Sequence, residues 1–179
     1  MSVTSAVELF ETTYGCKAII TRCTNNFGPR QSLEKLIPKI ISLASNDKKI
    51  PIYGNGKNIR DWIYVDDHCK AIIDIMQKGK FGNSYNISAS NELDNITIVN
   101  TILKIMRKSK KLVKFTKDRP GHDFRYSLDS SKIRKELKWN TKNNFQEGIK
   151  KTVEWYLTNK KSWSNISTAE LSKPEWKTR

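Results

Sequence analysis

This sequence has only three cysteines and two histidines and has no long apolar run, and each shortage removes a class of function. Cys16, Cys23 and Cys69 form no CxxC pair and take no metal-ligand spacing with His68 or His122, so neither a disulfide framework nor a zinc site is supported. All three are expected to be reduced, buried thiols. No stretch approaches the ~20 apolar residues of a membrane-spanning helix. The start MSVTSAVELF lacks the basic region and continuous apolar stretch of a secretory signal, so a cytoplasmic protein is expected. Acidic residues are scarce too, with 18 Asp and Glu against 33 Lys and Arg for a net charge of +15. Such a surface attracts any polyanion. The excess, however, is mostly Lys, is spread along the chain and accompanies much Asn and Ile, as AT-rich coding sequence produces. The aromatics sit in apolar patterns rather than along a basic stripe, so a nucleic-acid-binding module is kept only as the alternative from another class.

With 37% hydrophobic and 28% charged residues, the chain can bury one core, or one core plus part of another. Val3, Ala6, Val7 and Phe10 have the spacing of one helical face, and Gly15 suits a helix stop. Lys17 to Arg22 is short, apolar and β-branched, as a buried strand requires, and Thr24 to Gln31 reads as a loop. Leu33 to Ser45 is helical in pattern, with the regular helix starting near Pro38. Ile50 to Tyr53 and Ile59 to Val65 read as strands around the Gly54-Asn-Gly56 turn. Asp66 or Asp67 then caps a helix with Ala71, Ile72, Ile75 and Met76 inward. Strands at Ser84 to Ser88 and Leu112 to Thr116 flank a helix over Ile96 to Arg107. A polar loop, Lys117 to Phe124, leads to a short strand over Arg125 to Leu128 and helices near Ser130 to Leu137 and Phe145 to Asn159. The tail from Ser162 has little periodicity and is expected to be only partly ordered. This alternation is that of an α/β protein.

Three segments are specific together: Arg22-Cys-Thr-Asn-Asn-Phe-Gly-Pro29 running into Glu34-Lys-Leu-Ile-Pro38; Pro51-Ile-Tyr-Gly-Asn-Gly56 running into Arg60-Asp-Trp-Ile-Tyr-Val-Asp-Asp-His68; and Asp118-Arg-Pro-Gly-His-Asp-Phe-Arg-Tyr126. In this order they resemble the C-terminal half of the dTDP-glucose 4,6-dehydratases, NAD-dependent members of the extended short-chain dehydrogenase/reductases. The resemblance runs from about Thr4 to Tyr156. It implies an α/β fold, namely the C-terminal substrate-binding part of an extended Rossmann-type nucleotide-sugar enzyme. Residues 1–31 would be a remnant of the Rossmann core, 32–160 the nucleotide-sugar-binding part and 161–179 a tail.

Arg60 and Arg119 are planar, fixed-charge forks suited to paired bonds with phosphate oxygens. The resemblance places both at the diphosphate of a dTDP-sugar, Asn25 beside sugar and phosphate, and Asn95 near the nucleotide. It lays Tyr53 against the thymine, brings Lys35 and Leu36 to the nucleotide, puts His122 in the phosphate-proximal loop, and turns Asn26 to the nicotinamide of NAD. Trp62 and Tyr64 read as core and His68 as a structural polar contact. Another dehydratase or epimerase, acting on a UDP-sugar such as UDP-glucose, is the alternative within enzymes, although Arg119-Pro-Gly-His-Asp123 favours the dTDP type.

The family holds NAD on a Gly-rich strand-to-helix turn and uses a Tyr-xxx-Lys pair on a helix. Here Gly54 and Gly56 lie between strands, and Gly79 and Gly82 follow a helix. The spacings Tyr53/Lys57 and Tyr156/Lys160 fall across a turn and at a helix end. The N-terminal dinucleotide-binding half is therefore expected to be missing, with Met1 falling just after the catalytic Lys. That predicts nucleotide-sugar binding without catalysis or NAD binding by this chain alone, which is either a gene remnant or a partner for a separately encoded N-terminal half, and homodimerisation through the first helix.

Overall fold

In the computed structural model, which describes residues 3–163, helices and short strands alternate. Helix α1 (Val3–Tyr14) ends at Gly15, whose amide donates to the carbonyl of Glu11. Strand β1 (Ile20–Cys23) starts later than the apolar run at Lys17 and pairs in parallel with β5 (Ser84–Ile87). The segment expected as a loop from Thr24 contains a second strand, β2 (Asn25–Phe27). Its Asn-Asn-Phe sequence has little strand preference. Parallel pairing with β4 (Ile59–Tyr64), with Asn25 opposite Trp62 and Phe27 opposite Tyr64, is what holds it extended.

Strand β4 also pairs antiparallel with β6 (Glu92–Asp94) and parallel with β8 (Arg125–Tyr126). Strand β3 (Ile50–Tyr53) pairs instead with β7 (Val113–Thr116), in parallel. The strands on either side of the Gly54-Asn-Gly56 turn therefore do not pair with each other, and the turn carries the chain from one sheet to another. Helix α2 (Leu36–Ser45) places Pro38 in its first turn, where a missing amide donor costs nothing.

Helix α3 (Val65–Lys78) corrects two expectations. Neither Asp66 nor Asp67 caps it; Tyr64 is the N-cap residue and both acids lie in the first turn. The Asp67 carboxylate instead accepts the backbone amides of Lys142 and Asn143 at 2.9 and 3.1 Å, which ties the helix start to the loop before α6 (Phe145–Thr158). Ala71 and Ile75 are buried, but Met76 is 79% exposed because it shares the outer face with exposed Ile73, three residues earlier. Cys69 lies on that outer face as well and Cys16 follows the end of α1, so both thiols are exposed and Cys23 is half-buried rather than all three being inside.

The remaining helices are α4 (Asn95–Ile105) and α5 (Ser131–Leu137). Helices α2, α4 and α6 bury Ile37, Ile40, Ile41, Ile98, Val99, Ile102, Ile149 and Val153 against Phe27, Trp62 and Tyr64. A second cluster packs Ile75 of α3 and Ile133 of α5 on Tyr85 and Ile87 of β5, with Ile63 and Trp139. Successive side chains of a strand point to opposite faces, so β4 gives Trp62 and Tyr64 to one core and Ile63 to the other. Gly148 lets α6 lie close over this wall; a Cβ there would come within 2.9 Å of the Tyr64 ring. The tail beyond Trp163 lies outside the described residues.

Candidate functional site

A cavity of about 240 Å³ opens where β3, β4, the start of α2 and the 117–124 loop converge. It is lined by all eight residues expected on the nucleotide sugar: Asn25, Lys35, Leu36, Tyr53, Arg60, Asn95, Arg119 and His122. Widely separated parts of the sequence supply them. Asn25 comes from β2, Lys35 and Leu36 from the N-cap and first residue of α2, Tyr53 from the end of β3, Arg60 from β4, Asn95 from the start of α4, and Arg119 and His122 from the loop between β7 and β8. The wall carries Lys35, Lys39, Arg60 and Arg119 against a single carboxylate, Glu34, so an anion is the complementary occupant.

Arg60 is buried, and its guanidinium is held by the carbonyls of Ile59 at 2.7 Å and Asp123 at 2.9 Å. Burial pushes its pKa below the ordinary arginine value; Asp123 opposes the shift and the charge of Arg119 adds to it. A guanidinium has five donors, and the two backbone bonds fix its direction without exhausting them. Arg119 is exposed and lies beside Asp118, which accepts the Arg119 amide at 2.9 Å. The Asp118 carboxylate also meets Nδ1 of His122 at 2.7 Å, and the His122 ring stands edge-on to Tyr53 with centroids 6.3 Å apart. That bond to His122 is the main reason the Asp118 carboxyl lies below its usual range; burial opposes it, and the Arg119 amide and the charge of Arg119 reinforce it.

Glu34, Lys39, Pro51, Ile52 and Trp62 line the same cavity and were not among the expected site residues. Two of them were within reach of pattern reasoning. Lys39 follows Lys35 by one helical turn, and Trp62 follows Arg60 by two strand residues, which puts each pair on one face. Trp62 and Tyr64 are buried, as core residues should be. His68 is half-buried, with its pKa pushed down by that burial.

Asn26 is not in the cavity wall. Its amide nitrogen donates to Sγ of Cys23 and the carbonyl of Thr24, both at 3.3 Å, while its Oδ1 is buried without a partner among the described residues. Oγ1 of Thr24 and Oε1 of Gln31 are in the same condition on neighbouring positions.

Residues 1–152 match the family model described as GDP-mannose 4,6 dehydratase. A dTDP-glucose 4,6-dehydratase of Escherichia coli is 43% identical over 171 residues, covering 89% of this chain and 47% of that protein. A probable dTDP-glucose 4,6-dehydratase of Sinorhizobium fredii is 46% identical over 164 residues, covering 88% and 47% respectively. The crystal structure of the Bacillus anthracis dTDP-glucose 4,6-dehydratase in complex with NAD superposes with a TM-score of 0.87 at 40% identity, over 91% of this chain and 52% of that one. No described helix is long and apolar enough to cross a membrane. The chain thus spans about half the length of the curated relatives it matches, and it belongs to the GDP-mannose 4,6 dehydratase family.

Proposed function

We propose that this chain is the nucleotide-sugar-binding half of a dTDP-glucose 4,6-dehydratase, in which the cavity holds dTDP-glucose by its diphosphate. The carrying observation is the convergence of Arg60, Arg119 and Lys35 with Tyr53, Asn25 and Asn95 on one cationic cavity. Arg60 and Arg119 grip the diphosphate, Tyr53 lies against the base, Asn95 bonds nucleotide edges, and Asn25 meets the sugar end. Leu36 gives apolar contact to the nucleotide, and His122 faces the phosphates. Fixing the remote nucleotide in this way positions the hexose for reaction, because binding energy away from the reacting carbon is what orients it.

Asn26 fits the nicotinamide side of NAD. Its buried, unpartnered Oδ1 is an acceptor for a carboxamide N–H, and leaving such an atom unsatisfied costs about 1–3 kcal/mol. When bound, NAD supplies reversible hydride acceptance. A Gly-rich strand-to-helix turn does not occur in these 179 residues, so the cofactor's phosphates need contacts from another polypeptide segment. Leu9, Phe10 and Tyr14 expose apolar surface on α1, and self-association through that helix is part of this reading. A sedimenting dimer that Phe10→Glu dissociates is expected; a monomer with α1 folded contradicts it.

The reading is tested by complementation. This chain, the N-terminal half of a close relative, NAD and dTDP-glucose are expected to yield the 4-keto-6-deoxy sugar together, and neither half alone. Turnover by this chain alone, or none by a verified folded complex, overturns it.

A further inference from the structure

His122 is placed in an unusual way for a loop residue. Its side chain is only 6% exposed although the 117–124 loop lies at the surface. One ring nitrogen, Nδ1, is engaged by Asp118 at 2.7 Å; Nε2 has no hydrogen bond to a described residue, and the ring lines the cavity. Asp118 also accepts the Arg119 amide at 2.9 Å and lies beside the Gly54 turn. At Gly54, φ is +56° and a Cβ would lie 3.0 Å from Oδ2 of Asp118, so the turn leaves room for that carboxylate only because it has no side chain.

A carboxylate on Nδ1 selects the tautomer or cation with hydrogen at Nδ1 and leaves Nε2 as the ring nitrogen available to a ligand in the cavity that His122 lines. Neutral, Nε2 is a lone-pair acceptor and opposes a phosphate oxygen; protonated, it donates to one. Tyr53 from β3 and Asp118 from its own loop meet the ring; the other charged groups of the cavity wall are Arg60 from β4, Glu34 and Lys35 just before α2, Lys39 within it, and Arg119, with Asp123 beside Arg60. The nearest of these with negative charge is the carboxylate already bonded to Nδ1.

We propose that the Asp118–His122 pair makes ligand binding proton-coupled: the imidazole takes up a proton from solvent as the diphosphate enters, and Nε2–H then donates to a phosphate oxygen. Asp118 is a positioning residue that acts through His122. This rests on the reading of the cavity as a nucleotide-sugar site. Binding then weakens as pH rises through the range in which histidine loses its charge, by up to about tenfold per pH unit.

The probe is dTDP-glucose, whose doubly esterified diphosphate does not itself titrate there. With two histidines in the chain, the ring protons of His122 are followed by NMR against pH, with His68, which does not line the cavity, as internal control. Saturating dTDP-glucose is expected to raise the His122 titration midpoint by about one pH unit, equivalent to tenfold in affinity, and to leave His68 unmoved. Calorimetry in buffers of different ionisation enthalpy is expected to show proton uptake that His122→Gln abolishes. Asp118→Asn, which keeps the shape but removes the charge, is expected to move both midpoints to lower pH. An unmoved His122 midpoint in a chain that binds dTDP-glucose overturns the coupling alone, as does uptake that survives His122→Gln. Unchanged midpoints in Asp118→Asn overturn the role of Asp118. Absence of dTDP-glucose binding to the wild-type chain overturns the functional reading and the coupling with it.

Discussion

Tyr156 links the last helix to the segment before α2 through one buried hydroxyl, which donates to the carbonyl of Gln31. Burial pushes its pKa up to about 12, with the bond to Gln31 opposing the shift. The folded chain therefore holds this proton more tightly than the unfolded chain does. The resulting stability is complete below about pH 10, the unfolded tyrosine value, and is lost as pH rises towards 12. Thermal unfolding of Tyr156→Phe is expected to show a lower Tm at neutral pH and a shallower alkaline decline than wild type; parallel declines would contradict this. The bond joins residues 125 apart, and no local pattern signals it. Arg60 was legible because its charge and fork geometry suit one kind of partner. Asp118 was not, because its meaning depends on Gly54 and His122 arriving beside it in space.

At the scale of elements, helices with a clear apolar face were readable to within a few residues. Strands β2 and β6 were not, since three-residue strands rest on pairing with β4 rather than on their own sequence. The Gly54-Asn-Gly56 turn was correctly located, yet the partners of its flanking strands are set by packing further along the chain. Caps show the same division. Asp94 caps α4 by accepting the Thr97 amide at 2.9 Å, and it also pairs with Lys57 at 3.1 Å. Burial tends to raise its pKa, but the bonds from Thr97 and the Lys57 ammonium outweigh that, and the net shift is downward. A depressed carboxyl contributes stability above its unfolded pKa and loses it as pH falls through the folded value. Asp94→Ala is expected to cost about 1 kcal/mol in denaturant unfolding at neutral pH, with the deficit shrinking below about pH 4. A deficit that stayed constant with acidification would assign the loss to packing instead.

For the whole molecule, a net charge of +15 poses the question of whether an anion is bound by a built site or by the surface at large. Diffuse attraction is screened within about 8 Å at physiological salt and does not depend much on which exposed lysine is removed. A clamp depends on particular, pre-oriented groups. Arg60 is buried and held by two carbonyls at the cavity wall, whereas Lys57 sits exposed in the turn and is paired with Asp94. Calorimetry of dTDP-glucose binding at physiological salt, for wild type, Arg60→Ala and Lys57→Ala, separates the two cases. The expected result is saturable binding at one site, weakened about tenfold or more by Arg60→Ala and changed less than about threefold by Lys57→Ala. Equal losses in the two variants would contradict a diphosphate clamp at Arg60.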